Sequence, residues 1–220
     1  MKVLIGCEES QTVCIEFRKL GHEAFSCDLK DCSGNHPEWH LKMDIFEAIN
    51  LKEWDFIGLH PECKKITLSG NRTYSPGKSR ERERIDAIEW TIHLWNIAIS
   101  KAKYVYMENP IGAMNKDDRL VKPQIIHPYY FGDNVSKATC LWLKNIPKLI
   151  YYKTDDLFEK QTCVEPEYIM YNSKKNKSGK SRYSVLGKIS TSKNNEKNRA
   201  IRSKTFPGIA KAMAEQWGNL

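Results

Sequence analysis

Short apolar runs, each closed by a turn-forming stretch, alternate along this chain with segments of helical period. Lys2–Gly6 (KVLIG) is β-branched and apolar and reads as a first strand. Val13, Ile15, Phe17 and Leu20 then predict a helix that Ser10 or Thr12 would cap and Gly21 would stop. Residues 23–26 (EAFS) read as a second strand ending at Asp28, and residues 54–59 as another. The latter closes on His60-Pro61, because Pro61 cannot donate to a ladder. From Arg82 onward Ile85, Ile88, Ile92, Trp95 and Ile99 recur every three or four residues, which predicts the best helix and a core-packing stripe. Residues 103–107 form a further strand that breaks off at Glu108-Asn109-Pro110, and residues 124–131 and 138–143 read as two later ones. Ile209, Ala212, Met213 and Trp217 predict a closing helix after Pro207-Gly208. Strands alternating with helices imply an α/β, Rossmann-like fold with a mostly parallel central sheet. The turn-rich stretch 69–78 predicts a mobile lid.

Composition adds size, compartment and a partner class. The 220 residues, 40% hydrophobic, suit one domain with a small appendage. The boundaries expected are a core over 1–150, a small basic segment over 151–199 and a returning helix over 200–220. Val3-Leu4-Ile5 is too short for a secretory leader, and no apolar stretch reaches membrane length. Seven cysteines without secretory context are expected as reduced thiols in the cytoplasm, with no membrane contact and no protein partner indicated. The net charge of +8 is concentrated: between Tyr171 and Lys204 there are eleven Lys and Arg against one acid, Glu196. Such a segment is either solvated or meets a polyanion, most simply nucleic acid.

Candidate chemistry gathers where strands end. Cys63 lies just past one strand and Glu108 just past another, so neighbouring strands would set thiol and carboxylate side by side. Asp28 occupies the position where nucleoside-binding α/β folds keep a ribose acceptor, and Asp44 precedes an apolar pair in a similar way. A phosphate-cradling GxGxxG is absent, because CEESQ follows Gly6. That argues against a dinucleotide and for a phosphate-free nucleoside such as S-adenosylmethionine. Gly6, Glu8, Glu9 and Ser10 would line its site with Asp28, Asp44, His60 and Pro61. Glu8 and Glu9 would face an ammonium or sulfonium, or else only complement a helix dipole. Cys27, Cys32, His36 and His40 form a C-x4-C-x3-H-x3-H cluster whose spacing does not match known zinc frameworks, and no metal is expected.

The surroundings of Cys63 exclude several thiol chemistries. The surround of a papain- or caspase-like protease is missing, as is a phosphate loop ending in Arg. His60 and Glu62 supply half of a zinc-deaminase signature, without any C-x-x-C. What fits is thiolate addition to carbon 6 of a pyrimidine, with a carboxyl at N3 and a methyl taken by carbon 5 from a sulfonium. Lys64 or Lys65 would offset the charge of Glu62 beside the thiolate.

This arrangement resembles the C5-cytosine-specific DNA methyltransferases, in particular small phage-type members. Pro61-Glu62-Cys63 and Glu108-Asn109-Pro110 are similar to that family's nucleophile loop and Glu-Asn element in order and approximate spacing. Met43-Asp44-Ile45 looks like its Gly-Asp-Ile, and the stretch 202–210 like its late Phe-Pro element and closing helix. Glu62 interrupts the usual Pro-Cys pair, and Gly6-Cys7-Glu8-Glu9-Ser10 replaces its F-x-G-x-G. The resemblance implies an S-adenosylmethionine-dependent enzyme acting on a flipped cytosine in DNA, with Cys63 and Glu108 catalytic. Asn109, Lys64, Arg72 and Lys137 would contact the acceptor. Alternatives are a catalytically silent DNA-binding relative, or a pyrimidine C5 methyltransferase acting on RNA or a nucleotide.

Overall fold

The computed structural model describes residues 1–155, 160–172, 180–184 and 204–220. Its centre is a seven-stranded sheet made of β1 (Lys2–Gly6), β2 (Glu23–Asp28), β3 (His40–Lys42), β4 (Phe56–Leu59), β5 (Tyr104–Pro110), β6 (Gln124–Ile126) and β7 (Thr139–Lys144). The strand order is β3-β2-β1-β4-β5-β7-β6. All neighbours from β3 to β5 are parallel, and β7 alone runs against them, between β5 and β6. This is the mixed, mostly parallel α/β sheet expected from the sequence. Strand order reverses between β1 and β4, and in such sheets the crevice beyond the carboxyl ends at that point takes the ligand.

Burial on both faces explains why β1 and β4 are continuous apolar runs instead of alternating ones. Helices α1 (Thr12–Lys19) and α5 (Pro207–Trp217) cover one face, packing Phe17, Met213 and Trp217 on Val3, Ile5, Phe56 and Tyr106. The other face is covered by α2 (Ile45–Asn50) and α4 (Glu81–Lys101), with Ile49, Leu94 and Trp95 against Leu4, Ile57, Val105 and Met107. An aromatic column joins α1, the sheet and α5: Phe17–Phe56, Phe56–Tyr106 and Tyr106–Trp217 centroids lie 5.1, 5.8 and 5.3 Å apart. Gly58 pairs with Tyr106 and makes room for it, since a Cβ there would fall 2.4 Å from the ring.

Several elements differ from expectation, each for a physical reason. β5 continues through Glu108-Asn109-Pro110, because β7 pairs with those residues from the other side. The strand expected over 124–131 stops at Ile126, and Pro128 starts a 3-10 turn over Pro128–Phe131. Ile85 of the α4 stripe is 40% exposed, while Arg84 beside it is buried. The stretch expected as a lid contains a short helix, α3 (Asn71–Tyr74), in which Tyr74 is buried, while most of the other residues from 69 to 78 are exposed. β3 and α2 had no clear sequence signal.

The chain leaves this core and returns to it through paired contacts. Gln216 and Ile150 exchange two hydrogen bonds of 2.8 and 2.9 Å, and the Trp217 indole donates to the Pro147 carbonyl. Strands β8 (Tyr168–Asn172) and β9 (Lys180–Ser184) form a separate antiparallel pair. Residues 156–159, 173–179 and 185–199 of the expected basic segment, and residues 202 and 203 of the late motif, lie outside the described residues. Among the described residues, no helix is long and apolar enough to cross a membrane.

Replacing Gly58 by Ala should therefore lower stability by about 1–3 kcal/mol, since the fully buried Tyr106 ring has nowhere to move. Urea denaturation of the two proteins checks this.

Candidate active site

The register of β4 and β5 builds the site. Leu59 pairs with Met107, so His60 and Glu108 fall opposite each other, one residue beyond. His60 Nδ1 lies 3.5 Å from Glu108 Oε2 and 3.5 Å from Thr205 Oγ1, while Nε2 lies 2.8 Å from the Tyr106 hydroxyl. An ionised carboxylate can only accept, so Nδ1 carries a hydrogen toward Glu108. A neutral ring then accepts the Tyr106 O–H at Nε2. Next along, the Asn109 amide donates to the Pro61 carbonyl over 3.0 Å and ties the two strand ends together. Asn109 Oδ1 is buried without a partner among the described residues.

Cys63 begins a tight turn, its carbonyl accepting the N–H groups of Ile66 and Thr67 at 3.1 and 3.0 Å. The thiol is partly exposed and senses Glu108 and Lys137. Burial raises its pKa, Glu108 and Glu62 raise it further, and Lys137 pulls it down without reversing the shift. Glu108 behaves oppositely: burial pushes it up, but the His60 hydrogen bond and the Lys137 charge outweigh this and hold it below the usual range. The two groups that sequence spacing suggested thus share one electrostatic environment, with a protonated thiol and an ionised carboxylate at rest. The offsetting cation is Lys137, which also stacks over Phe206, and not Lys64 or Lys65. Lys65 instead faces Glu83 at 3.4 Å. Lys64 and Arg72 are exposed.

The residues expected to line a nucleoside site divide into two groups. Cys7, in a left-handed turn at φ 59°, has a thiol pushed up by burial and by Asp28, Cys27 and Asp44, which locates both acids beside the end of β1. Asp28 and Asp44 are part-exposed, and each also accepts a local amide, Lys30 and Phe46. Glu8 is buried and turned under α1, where its oxygens accept the Val13 and Cys14 amides at 2.6 and 3.2 Å. It replaces the side-chain cap expected from Ser10 or Thr12, whose hydroxyls bond each other at 3.0 Å. Burial raises the Glu8 pKa to about 7, against the opposing pulls of His60 and those two amides. Gly6 makes room for Ile45, which would stand 2.3 Å from a Cβ there. Over this turn folds the loop after β2: Ser33 donates to the Glu9 carbonyl, and the Gln11 side chain bonds both the N–H and C=O of His36.

The C-x4-C-x3-H-x3-H residues are engaged separately. Cys27 faces the Met43 carbonyl, His36 pairs with Glu38 and stacks on Trp39, and His40 bonds Ser26 and the Lys30 carbonyl. No group of three metal-ligating side chains occurs among the described residues. Two residues matter more than their sequence context suggested. His60, a single polar residue after a buried strand, is the hub between Tyr106, Glu108 and Thr205. Arg84 sits within an alternating charged run and gives no sequence signal at all.

No family model matches the chain, and no curated protein matches it. Solved structures with a similar fold include a DNA modification methyltransferase encoded within an E. coli prophage (10% identity, TM-score 0.46, covering 80% of this chain and 61% of that one). Others are the Entamoeba histolytica methyltransferase EhMeth (11%, 0.49, 76% and 57%) and S. pombe Dnmt2 methyltransferase (12%, 0.40, 66% and 50%). The chain spans between half and about three fifths of the length of these structures.

Two measurements follow from the electrostatics. Because the Cys63 pKa is raised, its alkylation by iodoacetamide should keep accelerating with pH, about tenfold per unit, without a plateau below pH 9. For Glu8, a folded-state pKa above the unfolded one means that the native protein holds the extra proton. Its stabilising effect is full below the ordinary carboxylate pKa and is lost as pH rises through about 7. Glu8→Gln should remove this slope, seen as a smaller loss of urea midpoint between pH 5 and pH 8 than in the wild type.

Proposed function

We propose that this protein is an S-adenosylmethionine-dependent methyltransferase acting on carbon 5 of cytosine in DNA, with Cys63 as nucleophile and Glu108 at the ring's N3. The observation that carries this reading is the shared environment of Cys63, Glu108 and Lys137 past the end of β4 and along the last residues of β5, next to the β1/β4 crevice. The resemblance of Pro61-Glu62-Cys63 and Glu108-Asn109 to the family's two catalytic elements supports it, and the basic stretch between Tyr171 and Lys204 suits a polyanionic acceptor. A base reaching this thiol must leave its duplex stack, so base flipping belongs to the proposal.

Asp28 and Asp44 fit an adenosyl sulfonium: both are part-exposed acids beside the end of β1, positioned for ribose hydroxyls and a cationic centre. When bound, the donor supplies an electrophilic methyl group. The protein's own part is to lower the barrier at the ring. Sulfur of Cys63 bonds to carbon 6 as its proton passes to the Glu108 carboxylate, and the electron pair moves to carbon 5. The charge that develops at N3 is met by a carboxyl hydrogen bond from Glu108, which needs a proton because Glu108 rests ionised. Carbon 5 would form its new carbon–carbon bond with that pair as the methyl–sulfur bond of the sulfonium breaks, its electrons staying on sulfur as a neutral thioether. A base then takes the carbon 5 proton, and the electrons return to expel Cys63. Lys137 favours both the thiolate and the carboxylate. His60, fixed by Tyr106, orients Glu108.

A second reading is a silent, DNA-binding relative. It is favoured by the β1–α1 turn, where Glu8 already occupies the first amides of α1 that would otherwise receive an anionic ligand group. Calorimetric titration with S-adenosylmethionine separates the readings, because the silent protein would release no heat. Cys63→Ala should abolish methyl transfer and leave donor affinity within about threefold. Wild-type protein should form a covalent complex with DNA carrying 5-fluorocytosine, mapped to Cys63 by peptide mass. Full transfer by the Cys63→Ala protein would end the assignment.

A further inference from the structure

Arg84 projects from the first turn and a half of α4 and is 8% exposed. Its guanidinium donates from Nε to the Lys65 carbonyl at 2.7 Å, from Nη1 to Asn71 Oδ1 at 2.7 Å and from Nη2 to the Thr67 carbonyl at 3.2 Å. Every acceptor is neutral. Burying a charge on neutral acceptors is costly, and packing alone would be served by an apolar side chain. What the fork grips is the turn that Cys63 opens, since the Ile66 and Thr67 amides close that turn on the Cys63 carbonyl. The same turn is held from the opposite side. Ala113 donates to the Ile66 carbonyl at 2.7 Å and Leu68 to that of Ile111 at 3.3 Å. Gly112 lies so close that a Cβ would fall 2.1 Å from the Ile66 oxygen. Gly70 likewise has no room for a Cβ, which would stand 2.8 Å from the Lys64 carbonyl and 3.2 Å from the guanidinium. The loop after Cys63 is therefore clamped between α4 and the loop that follows β5.

We propose that Arg84 is the positioning residue for Cys63, holding the turn that keeps the thiol beside Glu108. Its consequence for methyl transfer rests on the function proposed above; its consequence for the thiol does not. Loss of the clamp should let the thiol move from its part-exposed, acid-flanked position further toward solvent.

The test compares wild type, Arg84→Met, Arg84→Lys and Asn71→Ala. Two measurements need neither donor nor acceptor: amide hydrogen exchange, and the pH profile of Cys63 alkylation read by peptide mass. In Arg84→Met the amides of Ile66, Thr67 and Ala113 should exchange at least tenfold faster while those of β1 stay unchanged. Cys63 alkylation at pH 8 should rise at least fivefold, with its profile shifted to lower pH. Arg84→Lys, which keeps a donor and the charge, should restore most of both. Asn71→Ala removes only one acceptor at an exposed position, so it keeps the test open if Arg84→Met does not fold; it should shift the profile in the same direction by a smaller amount. A Cys63 profile within twofold of wild type in folded Arg84→Met, or in Asn71→Ala if that alone folds, overturns the assignment. Absent methyl transfer in the wild type would overturn the proposed function and leave this result standing.

Discussion

The pairing of β4 with β5 is the constraint on which the site depends. Tyr106 lies across Gly58, and its hydroxyl reaches past the strand end to His60, so one aromatic ring sets both the sheet register and the imidazole. A one-residue slip would turn every side chain of β5 to the other face of the sheet and take Tyr106 out of the α1–α5 core. Glu108 would turn away from His60 at the same time. The packing that stabilises the sheet and the geometry that aligns the polar groups are consequently one arrangement. Asn109 adds a second tie between the strand ends through the Pro61 carbonyl.

Around that arrangement the charge balance is unfavourable for a resting thiolate. Burial, Glu108 and Glu62 all raise the Cys63 thiol, with Lys137 as the cation that acts on both Cys63 and Glu108. For the proposed reaction, the resting proton is on sulfur and the carboxylate lacks one. Passing that one proton from sulfur to the carboxylate as carbon 6 is attacked changes both. An ordered, protonated thiol is also poorly reactive toward stray electrophiles, so the same electrostatics protect the residue between turnovers.

How legible this was depended on whether the information lay within one element. β1, β4 and α5 were readable because their apolar runs are continuous or periodic and are bounded by Gly or Pro, and β2 because a strand-like stretch follows the helix stop at Gly21. β3 was missed because three half-exposed residues at a sheet edge carry no pattern. The true end of β5 was missed because pairing with β7 is non-local. The same divide runs through the site. Cys63 and Glu108 stood out as reactive groups at strand ends, and their proximity follows from adjacent parallel strands. The part taken by Lys137 depends on how β7 enters the carboxyl edge, which no spacing in the chain reveals. Glu8 was read as a ligand acceptor or a helix-dipole acid, and its contacts with Val13 and Cys14 make it a cap. Arg84 was invisible, since ERER reads as a solvated helix start and its burial is decided by a loop from another part of the fold.

The bracketing of residues 151–203 carries a consequence for how such a protein can vary. The chain departs at Ile150, locked to Gln216 by two hydrogen bonds, and is caught again at Thr205, beside His60. Its two attachment points are therefore held by the core and not by the intervening residues. Residues 151–167 add holds of their own, Tyr151 stacking on Tyr130 and Val164 donating to the Tyr129 carbonyl at 2.8 Å, so any replacement there must keep these contacts as well as the two posts.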